Sequence, residues 1–130
     1  MEITEENGKR HTHYLQIVRE YKKKVENDIL RACDEILNVI SQSLLPSAVK
    51  DVEALIFYYK LKGDYNRYIA EVTLEDKYEK AISSAESSYK TGWDMANEHL
   101  ENTSLLKLGI ALNFAVFYFE VLDEPIKAIK

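Results

Sequence analysis

The sequence has one cysteine, two prolines and four glycines in 130 residues, and each scarcity removes a class of structure. Cys33 on its own cannot close an intramolecular disulfide, so a disulfide-stapled secreted fold is excluded. Folds made of many short strands need Gly and Pro at their turns, and too few are present. Long uninterrupted helices remain. No apolar run reaches the ~20 residues that cross a bilayer, and no basic-plus-apolar N-terminal segment resembles a secretory leader. The net charge of -5 is opposite in sign to the basic footprint of a general nucleic-acid binder. No membrane and no nucleic-acid partner is therefore expected, and a reducing cytoplasmic or nuclear setting fits best. What is present, 46% hydrophobic and 30% charged residues, is the composition of one domain with a real core.

Residues 1–12 are polar and contain Asn7-Gly8, which predicts a loop-like lead-in. From about residue 13 to 45, Val18, Tyr21, Val25, Ile29, Ala32, Cys33, Ile36, Ile40 and Leu44 recur every three or four positions, the stripe of a long amphipathic helix. Pro46 should end it, because the residue before proline avoids helical geometry. Ser47 is the expected cap of a second helix over 48–72. Thr73 with Asp76 resembles a capping pair that opens a third helix over 74–101, with Tyr78, Ile82, Ala85, Tyr89, Trp93, Ala96 and Leu100 as its core stripe. Asn102-Thr103-Ser104 can cap a fourth helix over 105–122, apolar on most sides and so expected to lie between neighbours. Asp123-Glu124-Pro125 reads as the start of another helix, with proline where its missing N–H costs nothing. The whole is predicted to be an all-α, antiparallel array of long helices.

The run Lys60-Leu61-Lys62-Gly63-Asp64-Tyr65-Asn66-Arg67-Tyr68 carries the strongest chemical signal. Lys60, Asp64 and Arg67 are four and three residues apart and share a helical face, with Tyr68 on its margin. On a solvated surface such ion-pair spacings contribute only about 0.2–0.5 kcal/mol each, and charged faces are usually just solvated. A planar Arg fork beside a Tyr hydroxyl also matches the charge and acceptor oxygens of a phosphorylated side chain. Gly63, inside a helix, costs about 0.8–1.0 kcal/mol relative to alanine, so close packing or a site should offset it, and Gly109 raises the same question. Asn113, on an otherwise apolar helix, would by itself more often be a satisfied core amide.

Residues 60–72, Lys-Leu-Lys-Gly-Asp-Tyr-Asn-Arg-Tyr-Ile-Ala-Glu-Val, resemble a signature of the 14-3-3 family, in which a tyrosine-rich Lys-Gly-Asp segment leads into Arg-Tyr-Leu-Ala-Glu. Residues 108–120, Leu-Gly-Ile-Ala-Leu-Asn-Phe-Ala-Val-Phe-Tyr-Phe-Glu, resemble its second signature, the Leu-Gly-Leu-Ala-Leu-Asn helix. Weaker agreement includes Arg19-Glu20-Tyr21 and Leu45-Pro46, so that the resemblance covers nearly the whole chain.

The resemblance implies a non-enzymatic adaptor for phosphoserine and phosphothreonine peptides that regulates signalling partners, without a cofactor. Arg67 and Tyr68 match the residues that hold the phosphate, Lys60 matches a groove lysine near it, Asn113 matches the amide that bonds the peptide backbone, and Leu112 and Val116 match the apolar groove wall. The family's pocket takes two further basic residues from a helix with no counterpart before Tyr14, its groove is closed by two helices beyond Lys130, and its homodimer relies on its first two helices. The expectation is thus a single partial domain, truncated at both ends, with dimerisation in doubt. The rival expectation is a helical scaffold or self-associating fragment that binds no phosphopeptide of its own.

Other signals are weaker. His11 and His13 lack the Cys or carboxylate partners that would make a metal site. Asn102-Thr103-Ser104 fits a glycosylation sequon, but only in a secreted protein. Lys22-Lys23-Lys24 is the wet face of the first helix. No Ser-His-Asp set, phosphate-binding glycine loop or carboxylate pair with catalytic spacing is recognisable, so no enzyme is predicted.

Overall fold

The computed structural model describes residues 2–123, and the helix start expected at Pro125 lies outside the described residues. The architecture is all-α: α1 (Glu2–Val39), a π-helical turn (Ile40–Leu44), a single turn α2 (Leu45–Ser47), α3 (Val52–Glu71), α4 (Glu75–His99) and α5 (Leu105–Asp123). The helical path ends close to Pro46, but not before it as expected: Leu45 keeps helical dihedrals (φ -62°, ψ -48°), Pro46 sits at the start of the turn Leu45–Ser47, and the widened turn ahead of it has the Leu45 N–H donating to the Ile40 carbonyl. A proline lacks a donor and clashes with the carbonyl four residues back, and a π turn is one way a helix absorbs that defect.

Three local expectations are corrected. Residues 2–12 are helical, because Asn7-Gly8 is flanked by helix-compatible charged residues and Gly8 stands in open space, where it costs only its propensity. Ser47 does not cap α3. Its hydroxyl donates back to Leu44, and Asp51, in extended geometry, accepts from the Ala54 N–H at 3.1 Å instead. Thr73 does not cap α4 either: its buried hydroxyl donates to the Ile69 carbonyl at 2.8 Å, and Leu74 occupies the cap position without a side-chain bond. Glu75 and Asp76 place negative charge in the first turn, where the helix dipole favours it. The Ser104 cap is made, with the Lys107 N–H donating to its hydroxyl at 3.3 Å.

Helices α3 and α4 pack antiparallel along their length, so that Tyr59 meets Gly92, Gly63 meets Tyr89, and Ala70 meets Tyr78 and Ala81. Helix α5 returns across both, with Ile110 against Gly92 and Phe114 and Phe117 against Tyr89. It therefore runs parallel to α3, which sets Lys60 beside Gly109 and Arg67 beside Glu120. The core between these helices is Ile56, Ala85, Tyr89, Ala96, Ile110 and Phe117. Burying each large apolar side chain there contributes about 1.5–3 kcal/mol.

The predicted stripe of α1 is real but mostly uncovered. Only Cys33 and Ile40 are buried, against α3, whereas Val18, Tyr21, Val25 and Ile29 face solvent. The expectation that the fourth helix lies between neighbours also fails among the described residues. Ile110 and Phe117 are buried on one side of α5, and Leu105, Leu108, Leu112 and Phe119 are exposed on the other. No described helix is long and apolar enough to cross a membrane.

Candidate functional site

Helix α3 contributes a turn-by-turn row of polar side chains, Lys60, Asp64 and Arg67, directed at α4 and α5. Asp64 is at its centre and only 4% exposed. A carboxylate taken out of water is stable only when its lone pairs are fully engaged, and these are. Lys60 Nζ donates to Oδ2 at 3.0 Å, Asn113 Nδ2 reaches Oδ1 at 3.0 Å and Oδ2 at 3.2 Å, and the Tyr89 hydroxyl donates to Oδ1. Arg67 Nη2 adds a longer ion pair to Oδ1 at 3.8 Å. Among the described residues, no fully buried side-chain nitrogen or oxygen lacks a partner.

Arg67 is held on several sides. Its Nε donates to the Tyr89 hydroxyl at 3.3 Å and its Nη1 to Glu120 Oε1 at 3.2 Å, with Glu71 at 4.0 Å. The guanidinium lies over the Tyr68 ring, 5.1 Å from its centroid, a cation–π arrangement that fixes the plane of the fork. Burial works against the Arg67 charge, but the bond to Tyr89 and the carboxylates of Glu120 and Asp64 more than restore it, and its pKa rises. Burial, followed by the nearby Asp64 carboxylate, also raises the Tyr68 phenol, which therefore remains a neutral donor at physiological pH. Among the described residues, two cations, Lys60 and Arg67, thus sit among three carboxylates, Asp64, Glu71 and Glu120, a formal charge of -1.

The predicted site residues separate into two groups. Lys60, Arg67 and Asn113 converge on Asp64, and Tyr68 lies under Arg67. Leu112 and Val116 share α5 with Asn113, the first exposed and the second half-buried. Three organising residues lie outside the predicted set. Asp64 carried a local signal in its spacing from Lys60 and Arg67. Tyr89 read only as core, and Glu120, 53 residues from its partner Arg67, had no local signal at all. Beyond Arg67, toward the C-terminal ends of α3 and α5, lies a cavity of about 320 Å³ with Phe117, Ile82 and Tyr78 among its lining and Glu71 and Glu120 beside Arg67.

Comparison with known proteins converges on one family. A family model described as "14-3-3 protein" matches residues 1–130. The chain is 41% identical over 128 residues to "Protein BMH2" of Saccharomyces cerevisiae, covering 98% of this chain and 46% of that protein. It is 40% identical over 120 residues to "Checkpoint signal transducer rad25" of Schizosaccharomyces pombe, 92% of this chain and 44% of that one. It is also 40% identical over 123 residues to "14-3-3-like protein B" of Glycine max, 95% of this chain and 49% of that one. The chain spans about half the length of the curated relatives it matches.

Proposed function

We propose, because the chain belongs to the 14-3-3 family, that it forms part of a phosphoserine- and phosphothreonine-binding adaptor without enzymatic activity, acting on signalling proteins in the cytoplasm or nucleus. In this reading Arg67 and Tyr68 hold the phosphate, Lys60 supplies a second positive charge, Asn113 bonds the peptide backbone, and Leu112 and Val116 line the apolar wall. The observation that carries it is the convergence of Lys60, Arg67 and Asn113 on the buried Asp64. That carboxylate fixes three groups a phosphopeptide needs: two cations for the phosphate, and an amide whose carbonyl, among the described residues, is left to accept from a peptide N–H.

The charge of the cluster sets the expected strength. An incoming phosphate brings a charge near -2 to a cluster already at -1, so it must displace Glu120 from the fork of Arg67. Binding by this chain is therefore weak and sensitive to salt, and further cations from elsewhere in a longer protein would strengthen it. A fluorescent phosphoserine peptide and its unphosphorylated twin, titrated against the chain and against Arg67→Ala, test the reading. The expected result is a preference for the phosphorylated peptide that Arg67→Ala abolishes. Equal binding of the two peptides refutes it.

A second reading is favoured by the uncovered face of α1, where Tyr14, Ile17, Val18, Tyr21, Val25 and Ile29 are all exposed. Contiguous apolar surface of this kind marks an interface, and a self-associating helical scaffold would use it. Light scattering over a range of concentrations discriminates: a constant monomer mass removes this reading.

A further inference from the structure

We infer that Tyr89, a fully buried residue of α4, is the positioning residue that sets the direction of the Arg67 guanidinium at the proposed phosphate site. The inference rests on that reading of the site, and adds a residue that would not touch the ligand.

A planar guanidinium has five N–H donors in a rigid fork, so its orientation is fixed once two of its edges are held. Two of the groups holding Arg67, Glu120 and Glu71, are partly exposed carboxylates on flexible stems, with side chains 37% and 48% accessible. Glu120, the nearer of the two, can swing away when an anion arrives. The bond from Arg67 Nε to the Tyr89 hydroxyl is different in kind, since the phenol cannot move. Its ring is 0% exposed, lies flat against Gly63 on one side, stacks on Phe114 with centroids 5.4 Å apart and meets Phe117 at 5.7 Å.

The hydroxyl's bonds have a fixed direction as well. Its single proton is donated to Asp64 Oδ1, so its oxygen is left to accept from Arg67 Nε. Burial and the bond to Asp64 raise its pKa far above the ordinary phenol range, so this donor-acceptor polarity persists at every working pH. The relay Arg67 Nε–H to Tyr89 O–H to Asp64 couples the fork to the same carboxylate that holds Lys60 and Asn113. When a ligand displaces Glu120, Nε stays pinned and the Nη edge, its direction kept, is left open to the phosphate.

Tyr89→Phe removes both bonds and keeps the ring, so packing is preserved while the relay is lost. Tyr118→Phe, which deletes an exposed phenol bonded only to Glu86 among the described residues, is the control. Two readouts separate the inference from the reading it rests on. The first is the ¹⁵Nε–H resonance of Arg67 in the ligand-free protein, expected to exchange slowly with water in the parent and in Tyr118→Phe, and at least about tenfold faster in Tyr89→Phe. The second is the affinity for a phosphoserine peptide, expected to fall about tenfold in Tyr89→Phe, with affinity for the unphosphorylated twin unchanged. An unchanged Nε–H exchange rate in Tyr89→Phe overturns the inference whatever the peptides do. If the rate responds but no form prefers the phosphorylated peptide, the positioning role stands and the phosphate reading fails. Should Tyr89→Phe not fold, the parent protein decides: a protected Arg67 Nε–H with a nuclear Overhauser contact to the Tyr89 ring supports the relay, and a fast-exchanging one without it overturns it.

Discussion

The ring of Tyr89 occupies the space that a Cβ on Gly63 would need: a methyl built there would meet the ring carbons at 2.7–2.8 Å. The mid-helix glycine of α3 is thus a packing device that lets the phenol of α4 reach Asp64. Gly109 faces Lys60 Cε at an ordinary 3.7 Å and has no such duty.

The two glycines should therefore respond with opposite signs. Alanine gains about 0.8–1.0 kcal/mol of helix propensity at either site. At Gly63 that gain is outweighed by overpacking, which costs about 1–3 kcal/mol in a core that cannot shift, and Tyr89 is locked between Phe114 and Phe117. Urea unfolding should show Gly63→Ala destabilised and Gly109→Ala stabilised. Two shifts of the same sign would contradict this packing.

Replacing Asp64 should be the most damaging single change in the cluster. Alanine there leaves the Tyr89 hydroxyl without its acceptor in the core and leaves Lys60 and Asn113 without theirs. Removing one member of a buried ionic network costs about 3–5 kcal/mol. Because Lys60 retains 19% of its side-chain exposure and can turn toward water, a loss near about 3 kcal/mol is expected. Lys60→Met should cost far less, since Asp64 keeps three other partners. A midpoint for Asp64→Ala close to that of Lys60→Met would mean the carboxylate is not the centre of the network.

Much of this was legible in the sequence, because helical periodicity and a few caps are local properties. The four long helices, the break near Pro46, the Ser104 cap and the shared face of Lys60, Asp64 and Arg67 all follow from residues a few positions apart. Coverage is a different matter. The stripe of α1 and the mostly apolar surface of α5 are as the sequence predicts, yet Val18 and Leu112 are exposed, since which faces are covered depends on how the helices cross. The links from Arg67 to Tyr89 and Glu120 span 22 and 53 residues. No spacing rule reaches that far, so Tyr89 read as core and Glu120 as nothing in particular. The missed caps at Ser47 and Thr73 have one cause: each hydroxyl is used up by a carbonyl of the preceding helix.

Cys33 should be chemically quiet. It is buried where α1 meets α3, and burial, followed by the charges of Asp34 and Glu71, pushes its thiol pKa up. Since the thiolate is the reacting form and burial also shields the sulfur, a disulfide reagent at pH 8 should label the native chain more slowly than the chain in urea. Equal rates would show that the C-terminal half of α1 does not stay docked on α3.

The buried phenol of Tyr89 makes a prediction at alkaline pH whose sign is fixed by linkage. At neutral pH it is protonated in both the folded and the unfolded chain and contributes no pH dependence. Above about pH 10, the ordinary phenol value, the unfolded chain releases this proton, while the folded chain keeps it because burial and the bond to Asp64 raise the pKa. Unfolding then releases a proton, so folded stability must fall as pH rises, by up to about 1.4 kcal/mol per pH unit from this group alone. Tyr89→Phe lacks the group. Tyr68 and Tyr118, whose phenols are also raised, are common to both proteins and cancel in the difference. The variant should begin less stable than the parent at pH 8, by the hydrogen bonds it has lost, and the two urea midpoints should converge between pH 10 and 11. A gap that stays constant across that interval would mean that the Tyr89 proton is not held by the fold.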